Sequence, residues 1–241
     1  MEPIYAIPVN EALDASIDTP ACGCPICTLY KKVEEDKLAF IMGPAMMEPS
    51  TREDTNREGF CGKHLRMMLK RKNKLSLALM VETHLSALSD DLLDPALPSL
   101  RGGRGERATQ RISRLMDSCY VCHRIDTTLE RMIGTLIYLW QGDPTVREKV
   151  AKQPHFCLPH YRAILLAAKA KLSRKDYGVL YDTLSKIEMA FLAELHGDVG
   201  WFCKKFDYRY TDEPWYNARD SVERATAFLT ADEGRDPDND C

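Results

Sequence analysis

The sequence has no strong excess of charge of one sign and no long apolar run. Its 241 residues carry 33 Lys and Arg against 36 Asp and Glu, a formal net charge of -3. No stretch approaches the roughly 18 consecutive apolar residues that cross a bilayer. A balanced charge creates no global field that would attract nucleic acid or a membrane, so we expect neither as a partner. Residues 1–8 lack a basic stretch followed by a long apolar core, so we expect no export and a cytoplasmic location.

The alternation of apolar and polar residues that is typical of half-buried β-strands is also missing. Apolar residues instead recur at steps of three or four, and this spacing indicates amphipathic helices. The pattern predicts helices over residues 28–42, 64–93, 124–140, 175–206 and 217–230. No phosphate-binding glycine loop and no set of nucleophile, base and orienting residue is recognisable. We therefore predict an all-α protein without catalytic activity of its own.

What the sequence does have is nine cysteines. Eight residues of metal-ligand type form one pattern that occurs twice. The first copy is Cys24-Pro-Ile-Cys27 followed by Cys61-Gly-Lys-His64, and the second is Cys119-Tyr-Val-Cys122 followed by Cys157-Leu-Pro-His160. We call each of these four-residue segments a hook. The offset between the copies is 95 residues (24 to 119, 27 to 122) or 96 residues (61 to 157, 64 to 160).

Thiols in the cytoplasm stay reduced, so this pattern indicates metal binding and not a disulfide framework. Three cysteines and one histidine are a usual ligand set of structural zinc, and such sites are closed by pairs of hooks from distant segments. We predict two zinc ions per chain, each held by three cysteines and one histidine. Four protein ligands leave no open position for water, which favours a structural over a catalytic role.

The duplication predicts two pseudo-repeated helical halves, each organised around a metal site. Residues 1–98 form the first repeat, 99–106 a linker, 107–212 the second repeat with a long core helix, and 213–241 a C-terminal helix with an acidic tail. The spacing leaves open whether each site closes within its half or exchanges hooks across the duplication. Closure within a half is the simpler arrangement, because 33 intervening residues (28 to 60) and 34 (123 to 156) are enough for a helix and a return.

Other interpretations of the cysteines stay open. The protein could be a thiol and zinc redox sensor or oxidoreductase, in which oxidation of the thiolates ejects the metal. An iron-sulfur electron carrier also uses cysteine, with occasional replacement by histidine. Cys22 corresponds to Asp117 in the second copy, so it lies outside the repeat. Cys119 to His123 matches the haem attachment motif, but the first copy has Thr28 where His123 stands.

Seven aromatic residues crowd residues 201–216. Such density predicts a segment folded back on the helices, and the alternative is a lid over a ligand pocket. Since four-ligand metal sites leave no open position and no catalytic set is recognisable, we expect a binding or regulatory module for an unknown protein or small-molecule partner.

A family resemblance covers nearly the whole chain. It is carried by the opening Ile-Tyr-Ala-Ile-Pro, the four hooks with Phe60 and Phe156 before two of them, Lys-Phe-Asp-Tyr-Arg at residues 205–209 and Asp-Glu-Pro-Trp at 212–215. These features resemble an uncharacterised prokaryotic family, domain of unknown function 6062. The resemblance implies no established activity. Some relatives carry a transporter substrate-binding label, which the missing export signal and the missing alternation of strands and helices do not support.

Overall fold

The structure is a computed structural model that describes residues 4–93 and 106–231. Over these ranges the chain forms eleven α-helices, three short 3-10 helices and no strand, so the predicted all-α class is confirmed. The α-helices are α1 Ala6–Asp18, α2 Pro25–Ile41, α3 Pro49–Glu58, α4 Gly62–Lys70, α5 Lys74–Leu93, α6 Glu106–Met116, α7 Tyr120–Gly142, α8 Pro144–Ala151, α9 Leu158–Lys171, α10 Arg174–Lys204 and α11 Ser221–Thr230. No helix in the described ranges has both the length and the apolar character needed to cross a bilayer.

Polar side chains define several helix starts. The Asp143 carboxylate accepts the Thr145 N–H at 2.8 Å, with Pro144 at the first position of α8. At α10, Ser173 Oγ accepts the Asp176 N–H at 3.1 Å. Both caps agree with the sequence, since short polar side chains satisfy the free N–H groups of a first turn.

The helix predicted over residues 64–93 is two helices, α4 and α5. The interruption has a local cause. Asn73 Oδ1 accepts the Ser76 N–H at 3.2 Å, while Asn73 Nδ2 and Ser76 Oγ both donate to the Met42 carbonyl, at 2.9 and 2.8 Å. The Asn73 side chain thus caps the first turn of α5 and ties it to the end of α2, which a stripe of apolar residues does not reveal.

Packing divides the chain into two compact units, residues 1–31 with 129–241 and residues 32–128. Both divisions fall inside helices, α2 and α7, and the units therefore differ from the sequence repeats. The linker predicted at 99–106 lies almost wholly outside the described residues, so the predicted domain boundaries stay a prediction.

The unit of residues 1–31 and 129–241 is built around α10, which contacts α8, α9 and α11. Its core consists of large apolar side chains with at most 3 % exposure: Leu13, Ile137, Trp140, Phe156, Ile164, Leu180 and Leu184. Leu180 and Leu184 belong to the apolar stripe predicted for the long helix. Phe206, which the sequence placed on the same stripe, follows the end of α10 and is 77 % exposed.

The unit of residues 32–128 packs α3 against α5 and α6. Its core is rich in methionine and aliphatic side chains: Leu38, Ile41, Met42, Met46, Met68, Leu77, Met80, Val121 and Ile125. A sharp turn at Gly59, with φ of 65°, ends α3 and leads into the hook at Cys61. The Gly59 carbonyl accepts the Tyr120 N–H at 3.0 Å, which joins this turn to the start of α7.

Candidate metal centres

Each of the four hooks forms the start of a helix. The first cysteine of each hook, at 24, 61, 119 or 157, immediately precedes the helix, and the second ligand residue, at 27, 64, 122 or 160, is the third helical residue. The two ligand side chains of a hook therefore project from one first turn, where the backbone N–H groups have no partner within the helix. A helix start carries about half a positive charge, which favours anionic sulfur there.

The structure brings the eight predicted residues together in two groups of four. The first centre is Cys24, Cys27, Cys157 and His160, and the second centre is Cys61, His64, Cys119 and Cys122. Within each group the four donor atoms lie within 4.8 Å of one another, so each group could hold a metal ion. Each centre lies within one compact unit, the first in residues 1–31 and 129–241 and the second in residues 32–128.

The hooks are thus exchanged across the sequence repeat, and the simpler closure within each half is wrong. The rise of α2 explains why. His64 donates from Nε2 to Glu34 Oε1 at 3.1 Å, and Glu34 lies seven residues (27 to 34) past Cys27 on α2. An α-helix rises about 1.5 Å per residue, so the residue that holds His64 is about 10 Å along α2 from Cys27.

Distances within the first centre fit a tetrahedral ion. Cys27 Sγ and Cys157 Sγ are 3.6 Å apart, and His160 Nδ1 lies 3.7, 3.4 and 3.1 Å from the sulfurs of Cys24, Cys27 and Cys157. With metal–sulfur bonds of about 2.3 Å and metal–nitrogen bonds of about 2.0 Å, tetrahedral edges are about 3.8 Å for two sulfurs and about 3.5 Å for sulfur and nitrogen. A disulfide needs about 2.05 Å, so these cysteines are free thiols.

The second centre has the same shape. Cys61 Sγ and Cys122 Sγ are 3.9 Å apart, and His64 Nδ1 lies 3.2 Å from Cys61 Sγ and 3.3 Å from the sulfurs of Cys119 and Cys122. The two centres differ in exposure. All four residues of the first are buried, whereas Cys61 and Cys122 of the second are only half-buried.

In each centre the pKa of one thiol is lowered while the pKa of another is raised. In the first, burial and hydrogen bonding to Cys157 raise the pKa of Cys24 well above its usual value, while a hydrogen bond from Cys157 lowers the pKa of Cys27. In the second, burial raises the pKa of Cys122. Burial also opposes ionisation of Cys119, but the hydrogen bond from His64 lowers the pKa of Cys119 to about 6. Three sulfurs so close together ionise fully only when a cation lies between them, and metal binding there would release protons.

A buried carboxylate supports the second centre. Glu34, 8 % exposed, accepts the His64 Nε2–H, and its Oε1 lies 2.9 Å from Lys63 Nζ. Burial opposes ionisation of Glu34, but the hydrogen bonds from His64 and Lys63 hold its pKa below the usual range. A proton on Nε2 leaves Nδ1 of His64 free to bind a metal, which is how carboxylates orient metal-binding histidines. Sequence reasoning missed Glu34, because the matching residue of the second copy, 95 residues on, is Leu129.

The first centre is supported by a different carboxyl group. Glu188, on α10, accepts the N–H of Phe156 at 2.7 Å and so fixes the peptide that precedes Cys157. Glu188 is 5 % exposed, and burial raises the pKa of this carboxyl to about 7. The apolar spacing of α10 gave no sign of this role.

Residues singled out by other motifs lie elsewhere. His123, which completes the haem-type motif, has an exposed side chain and its Nδ1 lies 3.0 Å from Glu58 Oε2, so it belongs to neither centre. In the aromatic segment, Trp201 Nε1 donates to the Pro214 carbonyl at 3.0 Å. The Lys205 ammonium donates to three backbone carbonyls of residues 210–213. The segment is thus folded back on the end of α10, as the sequence favoured.

Comparison with known proteins gives one match. A protein family described as a family of unknown function (DUF6062) matches residues 1–236. No curated protein and no solved structure matches this chain.

Proposed function

The chain belongs to domain of unknown function 6062, and from that premise we propose that it is a cytoplasmic zinc-binding protein with two structural centres of three cysteines and one histidine. It serves as a binding or regulatory module for a protein or small-molecule partner and carries out no catalysis itself. The observation that carries the proposal is that eight donor atoms, projecting from four helix starts, lie in two groups within 4.8 Å. Four donor–donor distances in each group, from 3.1 to 3.9 Å, are close to the edges of a tetrahedron around zinc.

Charge supports zinc at these positions. One divalent ion with three thiolates and a neutral imidazole carries 2 − 3 = −1, and two helix starts contribute about half a positive charge each at every centre. Donor atoms within 4.8 Å of one another leave room for one ion. The several iron and sulfide atoms of a cluster need more space, which favours zinc over iron-sulfur chemistry.

Elemental analysis tests this proposal. Protein purified without chelator should contain two zinc ions per chain and no iron. Iron with inorganic sulfide in a brown, anaerobically prepared sample would establish the iron-sulfur alternative. Fewer than two tightly bound metal ions per chain would also contradict the proposal.

Glu34→Gln should weaken metal binding at the second centre only. The amide replaces the anionic acceptor that orients His64 with a weaker neutral one, and such partners typically contribute tenfold to hundredfold in metal affinity. Competition with a chromophoric zinc chelator measures both affinities. Glu35→Gln is the matched control, because Glu35 is the next residue and its partner is Arg71 on the surface. An unchanged second affinity, or equal weakening of both centres, would exclude the positioning role of Glu34.

The half-burial of Cys61 and Cys122 keeps a redox sensor as the second candidate function. Hydrogen peroxide would take one electron from each of two thiolates, which join as a disulfide while the peroxide is reduced to two hydroxide ions and zinc leaves. Treatment with mild peroxide in the presence of a colorimetric zinc indicator separates the two functions. Release of one ion that a thiol reductant and added zinc reverse supports the sensor. Retention of both ions supports the structural role.

A further inference from the structure

A cleft of about 870 Å³ opens beside the first centre. Its lining comes from the start of α2 and the segment before it, the segment before α9, the middle of α10, and α11 with the residues leading into it, all within one compact unit. Three ligand cysteines, at 24, 27 and 157, form one end of the cleft. This volume lies within the range of about 300–1,000 Å³ that is typical of small-molecule sites.

The charged residues that line the cleft determine whether it favours an anionic or a cationic ligand. Arg224 is its one lysine or arginine among the described residues that line it. Three of its five guanidinium N–H donors are used, by Asp198 at 2.7 Å, Asp220 at 3.1 Å and the carbonyl of Asn217, so its charge is paired with two carboxylates. A phosphate or carboxylate ligand would meet only this cation, whose charge Asp198 and Asp220 already balance.

Carboxylates of the same cleft remain available. Glu194 and Glu223 line it from α10 and α11, and neither is paired with a cation among the described residues. With Asp220 and Arg224, the lining carries a charge of −3 + 1 = −2. Electrostatic complementarity therefore favours a cation.

The other walls are largely apolar or aromatic, with Asn217 as a further polar group. The rings of Phe191 and His155 are stacked, with centroids 3.9 Å apart and an interplanar angle of 13°. Pro20, Pro154, Ala190 and Ala227 complete these walls. A fully hydrated inorganic cation gains nothing from such surfaces, whereas an organic cation buries apolar area against the ring stack.

We propose that this cleft binds a small organic cation, an ammonium or guanidinium group on a short apolar body, with the charge at Glu194 and Glu223 and the apolar part against Phe191. The cation could be a free amine or the side chain of a peptide, since both present the same chemistry. The cleft and its carboxylates carry this inference, so it stands whether or not the metal proposal holds.

Binding to the full-length protein should discriminate by charge. Phenethylammonium and 3-phenylpropionate have similar size and opposite charge, and isothermal titration should show binding of the first and none of the second at equal concentration. Added salt should weaken the interaction, because exposed ion pairs are screened. An acetylated, lysine-containing tripeptide amide that binds more tightly than phenethylammonium identifies a peptide source. Weaker binding of the tripeptide identifies a free amine.

Variants locate the binding site. Glu194→Gln and Glu223→Gln should each lower the affinity by up to about fivefold, the range expected for an exposed ion pair. Asp182→Asn is the matched control, because Asp182 is exposed on the same helix and does not line the cleft. Ala190→Trp should fill the cleft and abolish binding at an unchanged melting temperature. The proposal is overturned if the anion binds as tightly as the cation. It is also overturned if neither glutamine variant lowers the affinity, or if neither phenethylammonium nor the tripeptide binds at millimolar concentration.

Discussion

The double variant with Cys24→Ser and Cys157→Ser should lose one bound zinc ion, whereas the double variant with Cys24→Ser and Cys61→Ser should lose both. The first pair belongs to one centre and the second pair to two centres. Closure within the sequence halves predicts the reverse, one ion lost for Cys24 with Cys61 and two for Cys24 with Cys157. The zinc content of dialysed protein therefore distinguishes the two arrangements.

Cys203→Ser is the control for these double variants, because Cys203 is exposed and belongs to neither centre. It should retain two ions. A double variant of either type that also keeps two ions would show that the thiols are not the ligands.

Removing both ions with a strong chelator at neutral pH should abolish cooperative thermal unfolding. Zinc contributes roughly 10–16 kcal/mol of apparent folding energy in small peptides, comparable with the 5–15 kcal/mol net stability of a whole protein. Four helices begin at the two centres, so their first turns lose a shared anchor. Near- and far-ultraviolet circular dichroism during a temperature ramp measures the loss.

Chelator already loaded with zinc is the control for that experiment, and added zinc should restore the transition. If protein proven free of metal by elemental analysis melted at the same temperature as untreated protein, the ions would not be structural. Acid should have the same effect as chelator, because the thiolates and imidazoles that hold zinc must lose their protons to bind it.

The two groups of candidate ligand residues could be recognised in the sequence because hooks are local. Two ligands spaced three apart at a helix start depend only on one first turn, and the repeat marked all four such turns. The pairing of the hooks was not readable, because it depends on how far α2 carries the chain past Cys27. Glu34 stayed hidden for a related reason: one buried glutamate on a helix has no spacing that separates it from a solvated one.

The long helix whose sequence has a strong apolar periodicity was predicted well. The expected helix over 175–206 is α10, Arg174–Lys204. By contrast, the sequence predicted no helix over α3, whose residues Pro-Ser-Thr-Arg-Glu-Asp-Thr-Asn-Arg-Glu have no apolar stripe. Its helix is stabilised instead by Pro49 in the first turn and by packing on α5, which is tertiary information. The cleft beside the first centre also joins segments about 200 residues apart, such as Pro20 and Asn217.

The exchange of hooks makes one centre nested within the other along the chain, and this has a consequence for biosynthesis. The ribosome releases the N-terminal part first. Until Cys119 has been made, the only complete quartet on the nascent chain is Cys24, Cys27, Cys61 and His64, which is a mismatched set. If both centres bind metal, correct assembly requires the early hooks to stay metal-free or to release an ion, and the outermost pair, Cys24 and Cys27, waits longest for its partners at 157 and 160.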